Sequence, residues 1–400
     1  MRRDHVSCRS LTFAQMRLSL RIYFCSLPQG LKMRPIRLFP YNLASWKHAV
    51  RELITHMKNI RHIAAVGVIL TLGACAPIIA PSGPMETTPS LTDKAFVTSD
   101  GLQLPIRKWL PALEADSGQP LKAVVLALHG LNDYSKAFDE VPGTPGVGPF
   151  LAENGIAFYA YDQRGFGEAP NPGLWAGDKA MSNDFSDFAR VLKNKYPNTP
   201  LFALGESMGG AVVMTALAMP RPPPVDGAIL AAPAVWARST MPVSYRIALW
   251  LGARVAPGLK PSGQSLGRRA SDNTEMLRTL ARDPLFIKKT RIDVVYGLTN
   301  LMDYALEAPS FINVPVMYLY GEKDEIVPKG PTEKAMTLFE AAHKNMQAAY
   351  YEDSWHMILR DKAAPIVLRD IIAFIGNALS PLPSGADQHS LQRLRTDMSN

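Results

Sequence analysis

Five residues, Gly205-Glu206-Ser207-Met208-Gly209, constrain this chain more than any other stretch. A short apolar run of strand type, Pro200 to Leu204, leads into them. A helix-forming run, Gly210 to Met219, leads out, with small residues on its first turn. A chain that passes abruptly from strand to helix at a serine forces that serine into a strained backbone conformation. Glycines two places to either side have no Cβ and let strand and helix approach. The serine hydroxyl is pushed out at the end of the strand. The first amides of the helix point at the same spot, where a developing oxyanion could be held. The bland alternative is a glycine-rich turn with an idle serine, so the pattern needs partners elsewhere in the chain.

The rest of the chain supplies a frame for that turn. Ala95 to Trp109 holds two strand-like runs around the turn Ser99-Asp100-Gly101. Lys122–Leu128 and Ile156–Tyr161 are continuous apolar runs, as expected of strands buried on both faces. Further strands are expected at 200–206, Gly227–Ala232, Val314–Tyr320 and Gln347–Tyr351. Helices are expected around Pro149–Glu153 and over 182–195, Lys334–His343 and Ala363–Ala378. Alternating strands and helices predict an α/β fold, a mostly parallel central sheet flanked by helices. One interval breaks the alternation. Tyr245–Val255, Thr274–Arg282 and Lys288–Tyr304 read as helices, so a helical cap is expected over about 236–306. Residues 379–400 are polar, contain two prolines and read as a disordered tail.

Charge and cysteine divide the chain at its N-terminal end. Residues 1–74 hold twelve Lys/Arg and two Asp/Glu, whereas residues 75–400 carry a net charge of −2. The larger part therefore lacks the basic footprint of a nucleic-acid partner. Cys8, Cys25 and Cys75 are the only cysteines, so no disulfide framework or cysteine metal site is available beyond residue 75. From Met57 a short basic region, a ten-residue apolar run and a small-residue segment follow one another, which is the order of a signal peptide over 57–74. Leu72-Gly73-Ala74-Cys75 resembles the lipobox of bacterial lipoproteins. That resemblance implies a lipidated Cys75 as mature N-terminus and membrane attachment through it. It also implies a place in the bacterial cell envelope, with Ala76 compatible with the periplasmic face of the outer membrane. The plainer alternative is an ordinary secretory signal or a weak membrane anchor. A complete signal at an internal methionine predicts that residues 1–56 are a non-native or disordered extension. Residues 75–92, rich in proline, serine and threonine, read as a flexible tether.

A serine nucleophile needs a base within hydrogen-bond reach. Three histidines follow Ser207. His343 falls on a helix and His389 in the polar tail. His356 follows the last strand, at the sheet end where parallel strands also place the 205–209 turn. An acid must orient that base, and Asp226, Asp272, Asp283, Asp293, Asp303, Asp324 and Asp353 all lie between Ser207 and His356.

His129-Gly130, Asp162-x-Arg164-Gly165-x-Gly167 and Gly205-x-Ser207-x-Gly209-Gly210, in this order, resemble the α/β-hydrolase superfamily. The likeness is to its monoacylglycerol lipase and lysophospholipase group, filed with the serine aminopeptidase-like hydrolases, over about residues 95–378, and it implies an α/β-hydrolase domain over 93–378. It implies Asp324 as the acid, in Gly321-Glu322-Lys323-Asp324-Glu325-Ile326-Val327-Pro328, and an oxyanion hole from the amides of Leu131 and Met208. The expectation is a serine hydrolase using Ser207, Asp324 and His356 through an acyl-enzyme. Its substrate would be a small lipid ester, a monoacylglycerol or lysophospholipid, with no metal or organic cofactor. The alternatives are an aminopeptidase-like enzyme, which would need an acidic cluster in the cap, and a tethered non-enzymatic homologue. His129, Asp162 and Arg164 are expected to knit loops, and Glu206 is held too tightly by the turn to orient His356.

Overall fold

The computed structural model describes residues 77–112, 120–261, 267–342 and 346–399, with Arg51 and Thr55. The expectations for the extension, the signal peptide, Cys75 and His343 lie outside those residues.

Among the described residues, nine strands form one sheet. They are β1 Ser90–Leu91, β2 Ala95–Val97, β3 Gln103–Trp109, β4 Ala123–Leu128, β5 Ile156–Tyr161, β6 Leu201–Glu206, β7 Gly227–Ala231, β8 Val316–Gly321 and β9 Met346–Tyr351. Their order across the sheet is β1-β2-β3-β5-β4-β6-β7-β8-β9. The pairs among β1, β2 and β3, and β3 with β5, are antiparallel. Every pair from β5 to β9 is parallel.

Strand periodicity explains why the middle strands are apolar throughout. Successive side chains point to opposite faces. Val124, Leu126 and Leu128 of β4 therefore enter one core cluster, and Ala123, Val125 and Ala127 enter the other. Both faces are covered by helices. The helices are α1 Val147–Glu153, α2 Asp178–Lys195, α3 Met208–Leu217, α4 Val243–Val255, α5 Thr274–Arg282, α6 Ile292–Glu307, α7 Lys329–Ala342, α8 Ala364–Gly376 and α9 Ser390–Ser399. Met181, Phe185, Phe188 and Leu192 of α2 recur at helical spacing and are all buried. Each such side chain stabilises the fold by about 1.5–3 kcal/mol relative to exposure. The stacking of Phe188 on Phe96, with centroids 4.5 Å apart, fixes α2 to the antiparallel edge. The opposite face is covered by α1 and α8, through Leu151, Val367, Leu368 and Ile371.

Two expectations about the ends are corrected. The tail is not disordered. Leu391 and Leu394, three residues apart on α9, are buried with the core cluster that holds α7. The Tyr350 amide donates to the Ala386 carbonyl, and the Tyr350 hydroxyl donates to Asp397 at 2.6 Å. The polar composition conceals one narrow apolar stripe, and a single stripe is enough to hold a short helix against a formed core. The described part of the tether is not free either. Ile79 bridges Trp175, Glu86 bonds Ser99, and β1 joins the sheet. A proline-rich segment carries few donors, yet these ones find acceptors in the folded body. A smaller difference lies at α7, which starts at Lys329 rather than Lys334. Pro331 sits in its first turn, where a missing N–H costs nothing.

Candidate active site

The turn after β6 has the strain its glycines predict. Ser207 has φ 54° and ψ −115°, in a region that residues with a side chain rarely adopt. A Cβ on Gly205 would lie 2.5 Å from the Gly209 oxygen, and one on Gly209 would lie 2.2 Å from the Leu128 oxygen. Only glycine permits either approach. The Ser207 amide donates to Ala231 of β7 at 2.9 Å, which locks the turn to the neighbouring strand.

The structure brings Ser207, His356 and Asp324 together. The Ser207 hydroxyl donates to His356 Nε2 at 2.9 Å, and His356 Nδ1 donates to Asp324 Oδ2 at 2.8 Å. Asp324 is held in turn by its other oxygen, which accepts from the amides of Ile326 (2.7 Å) and Val327 (2.9 Å). The Asp324 side chain is fully buried and the imidazole nearly so. Burial works against a charged imidazole, but the carboxylates of Asp324, Glu206 and Asp361 outweigh it and hold His356 above its ordinary value. The other candidates fall elsewhere. Asp353 is exposed and pairs with Lys323 at 2.9 Å, and His389 sits in the bend before α9. Asp226 pairs with Lys193.

Leu131 lines the same cavity as Ser207, and Met208 follows the serine directly. Met208 is the first residue of α3, so its amide has no earlier helical carbonyl to bond. The loop carrying Leu131 presses on the turn, for a Cβ on Gly130 would lie 3.3 Å from the Ser207 Cβ. His129 is tied to that loop. Its Nδ1 donates to the Gly130 carbonyl at 2.9 Å and its Nε2 accepts from the Gln163 amide at 3.1 Å. Complete burial lowers its pKa. Asp162 accepts from Ser135 and Glu168, and Arg164 bridges Asp100 and Asp184. All three knit loops.

One feature escapes the sequence reading. Arg360, four residues beyond His356, is buried between two carboxylates. Its Nη1 lies 2.8 Å from Asp133 Oδ2 and its Nη2 donates to Glu206 Oε2 at 2.9 Å. Those two acids belong to the Leu131 loop and to the turn, so one guanidinium fastens both to the loop of His356. Burial raises the Glu206 carboxyl, with Arg360 acting against it. The sequence signal was slight: a charged residue after the apolar run Met357-Ile358-Leu359.

A cavity of about 660 Å³ opens over Ser207. Leu131, Trp236, Met241, Leu298 and Met302 make its walls mainly apolar, and Asp133, Glu206 and Arg360 form its polar end. Such a site can hold an apolar chain beside an activated hydroxyl. His356 can accept a proton from Ser207 only while it is neutral, which sets the pH dependence expected of such a site. Activity on a soluble ester should rise with pH along a limb whose midpoint lies above the ordinary histidine value of about 6.5. A kcat/KM profile with that limb below about 6.5 would contradict the upward pull of the three carboxylates on His356.

Comparison with known proteins follows the same line. The profile of the serine aminopeptidase S33 family of hydrolases matches residues 119–363. The chain is 26% identical over 299 residues to monoglyceride lipase of Homo sapiens, covering 70% of this chain and 90% of that one. It is 24% identical over 287 residues to monoacylglycerol lipase of Mycolicibacterium smegmatis, covering 71% and 96%. Among solved structures, a soluble variant of monoglyceride lipase from Saccharomyces cerevisiae in complex with a substrate analog is similar in fold. It has a TM-score of 0.58 at 20% identity, covering 75% of this chain and all of the other.

Proposed function

The chain belongs to the serine aminopeptidase S33 family of hydrolases, and from that premise we propose that it is a serine hydrolase of acyl esters, cleaving a monoacylglycerol or lysophospholipid. Ser207 attacks the ester carbonyl while His356 takes its proton, and His356 then gives that proton to the leaving alcohol. Asp324 keeps the imidazole in the required tautomer and stabilises its charge. The amides of Leu131 and Met208 receive the oxyanion. The observation that carries this reading is the unbroken Ser207–His356–Asp324 hydrogen-bond line at the floor of a mainly apolar cavity.

The family also holds peptidases, which would need free acidic groups from the cap to receive an amino terminus. Four of the five cap acids have other partners, Asp272 accepting from the Lys362 amide, and the fifth, Glu275, is exposed and does not line the cavity. Asp303 pairs with Arg238, Asp293 with Arg291, and Asp283 accepts from Tyr134. The acids that do line the cavity, Asp133 and Glu206, are shared by Arg360.

A panel of esters from short to long acyl chains tests the substrate class. A methylene buried in the cavity stabilises by about 0.8 kcal/mol, so kcat/KM should climb about fourfold per added methylene until the cavity is full. A flat response, or activity on short chains alone, rejects the lipase reading. Faster release of an amino-acid arylamide would favour the peptidase instead.

A further inference from the structure

The cap is stitched to the loops of Asp324 and His356 along one short stretch. Five consecutive residues, Arg269 to Asn273, each bond a different point of those loops. The Arg269 amide donates to the Glu325 carboxylate at 2.6 Å, and the Ala270 carbonyl accepts from the Met357 amide at 2.9 Å. The Ser271 hydroxyl donates to Asp361 at 2.5 Å, Asp272 accepts from the Lys362 amide, and the Asn273 side chain donates to the Arg360 carbonyl. Asp361 stands at the centre of this seam and is completely buried. One of its oxygens takes the Ser271 hydroxyl and the other takes the Trp355 amide.

A buried carboxylate without a cation is costly to keep. Arg360, next in the chain, turns to Asp133 and Glu206, and Arg269 lies 4.8 Å over the Trp355 ring. Burial, with Asp272 and Glu206 adding to it, pushes the Asp361 carboxyl up to about 7. What the residue does for that cost is seen in the backbone around His356. The amide before it, at Trp355, ends on Asp361. The amide after it, at Met357, ends on Ala270, whose neighbour Ser271 ends on Asp361 too. Both restraints on the base therefore meet at one carboxylate. The contact they protect is the 2.9 Å between His356 Nε2 and the Ser207 hydroxyl. A misplacement of about 1 Å in such a contact can cost about a hundredfold in rate.

We propose that Asp361 is a positioning residue, tying the cap at Ser271 to the Trp355 amide so that His356 is held within reach of Ser207. It does not line the cavity and acts through the His356 loop. The role rests on the serine-hydrolase reading above, but not on which ester is cleaved.

The test is the rate of fluorophosphonate labelling of Ser207, with kcat and KM on a soluble ester, in Asp361→Ala, Asp361→Asn and Ser271→Ala. Asp361→Ala removes both acceptors. Its labelling rate and kcat should fall by about tenfold to a hundredfold while KM stays within about twofold. Asparagine can accept from the Trp355 amide and donate to Ser271, so Asp361→Asn should recover most of that loss. It lacks the charge that helps to hold His356 up, so its kcat/KM limb should move to lower pH. Ser271→Ala keeps the Trp355 bond and should lower kcat less than Asp361→Ala does. Parent-rate labelling in Asp361→Ala, a raised KM at unchanged kcat, or no recovery with asparagine overturns the proposal. If thermal melts show Asp361→Ala to be unfolded, Ser271→Ala decides instead, and a parent rate there overturns it. No labelling of the parent chain at all would remove the hydrolase reading itself, and this proposal with it.

Discussion

Ser207→Ala should lower kcat on an ester substrate by roughly four to six orders of magnitude. The hydroxyl is the group His356 Nε2 reaches, at 2.9 Å, and no other side chain stands in for it in that line. His356→Ala should cost about as much, and the double variant should be no worse than either, because the two act as one unit. Labelling by a fluorophosphonate should vanish with Ser207→Ala. Stability should stay near that of the parent, because alanine keeps the Cβ and thus the same backbone strain at φ 54°. Stability and activity are therefore separable in this variant. Ester turnover at the parent rate after Ser207→Ala would end the nucleophile assignment.

Arg360→Met is expected to have the largest effect on stability. Its side chain and those of Asp133 and Glu206 are each less than 5% exposed. Removing the cation leaves two carboxylates buried without a counter-ion. Breaking a buried pair in this way costs about 3–5 kcal/mol, or roughly 10 °C in Tm for a domain of this size. The sign of the pH dependence follows from burial. Burial already raises the Glu206 carboxyl in the presence of Arg360, and without the guanidinium it should rise further. A group whose folded pKa lies above its unfolded value stabilises at low pH and loses that contribution as pH climbs through the folded value. The deficit of Arg360→Met should therefore shrink on acidification. Adding Glu206→Gln should recover part of it at neutral pH. Thermal melts at two pH values measure both, and a Tm unchanged by Arg360→Met would show that the cluster contributes nothing to the fold.

The frame was legible because its signals are local. β4, β5 and β7 read as apolar runs bounded by turn residues, and the glycines at 205 and 209 are explained by contacts within a few residues or across one strand. The cap helices α4 and α5 also lay close to where their periodicity put them. The misreadings share a cause. Leu391 and Leu394 are two apolar residues in a polar segment, and only the surface presented by α7 and β9 turns them into a buried stripe. Residues 77–92 look like linker because several of their bonds go to partners far along the chain, such as Trp175 and Asp293, which no window around them contains.

By itself, the order of residues determined the alternating strands and helices, the strained turn at Ser207 and the short set of histidines and acids from which a base and its partner could come. Hydrophobic period and missing Cβ atoms are properties of neighbours along the chain, so they can be read without coordinates. Tertiary structure alone decided that Arg360 joins Asp133 to Glu206, residues more than seventy positions apart. It also decided that the cap turns one face of α4 to the cavity and the other outward. Both depend on how separate loops are carried to one end of a sheet. Charge pairing and exposure there are set by distance in space, which separation along the chain does not encode.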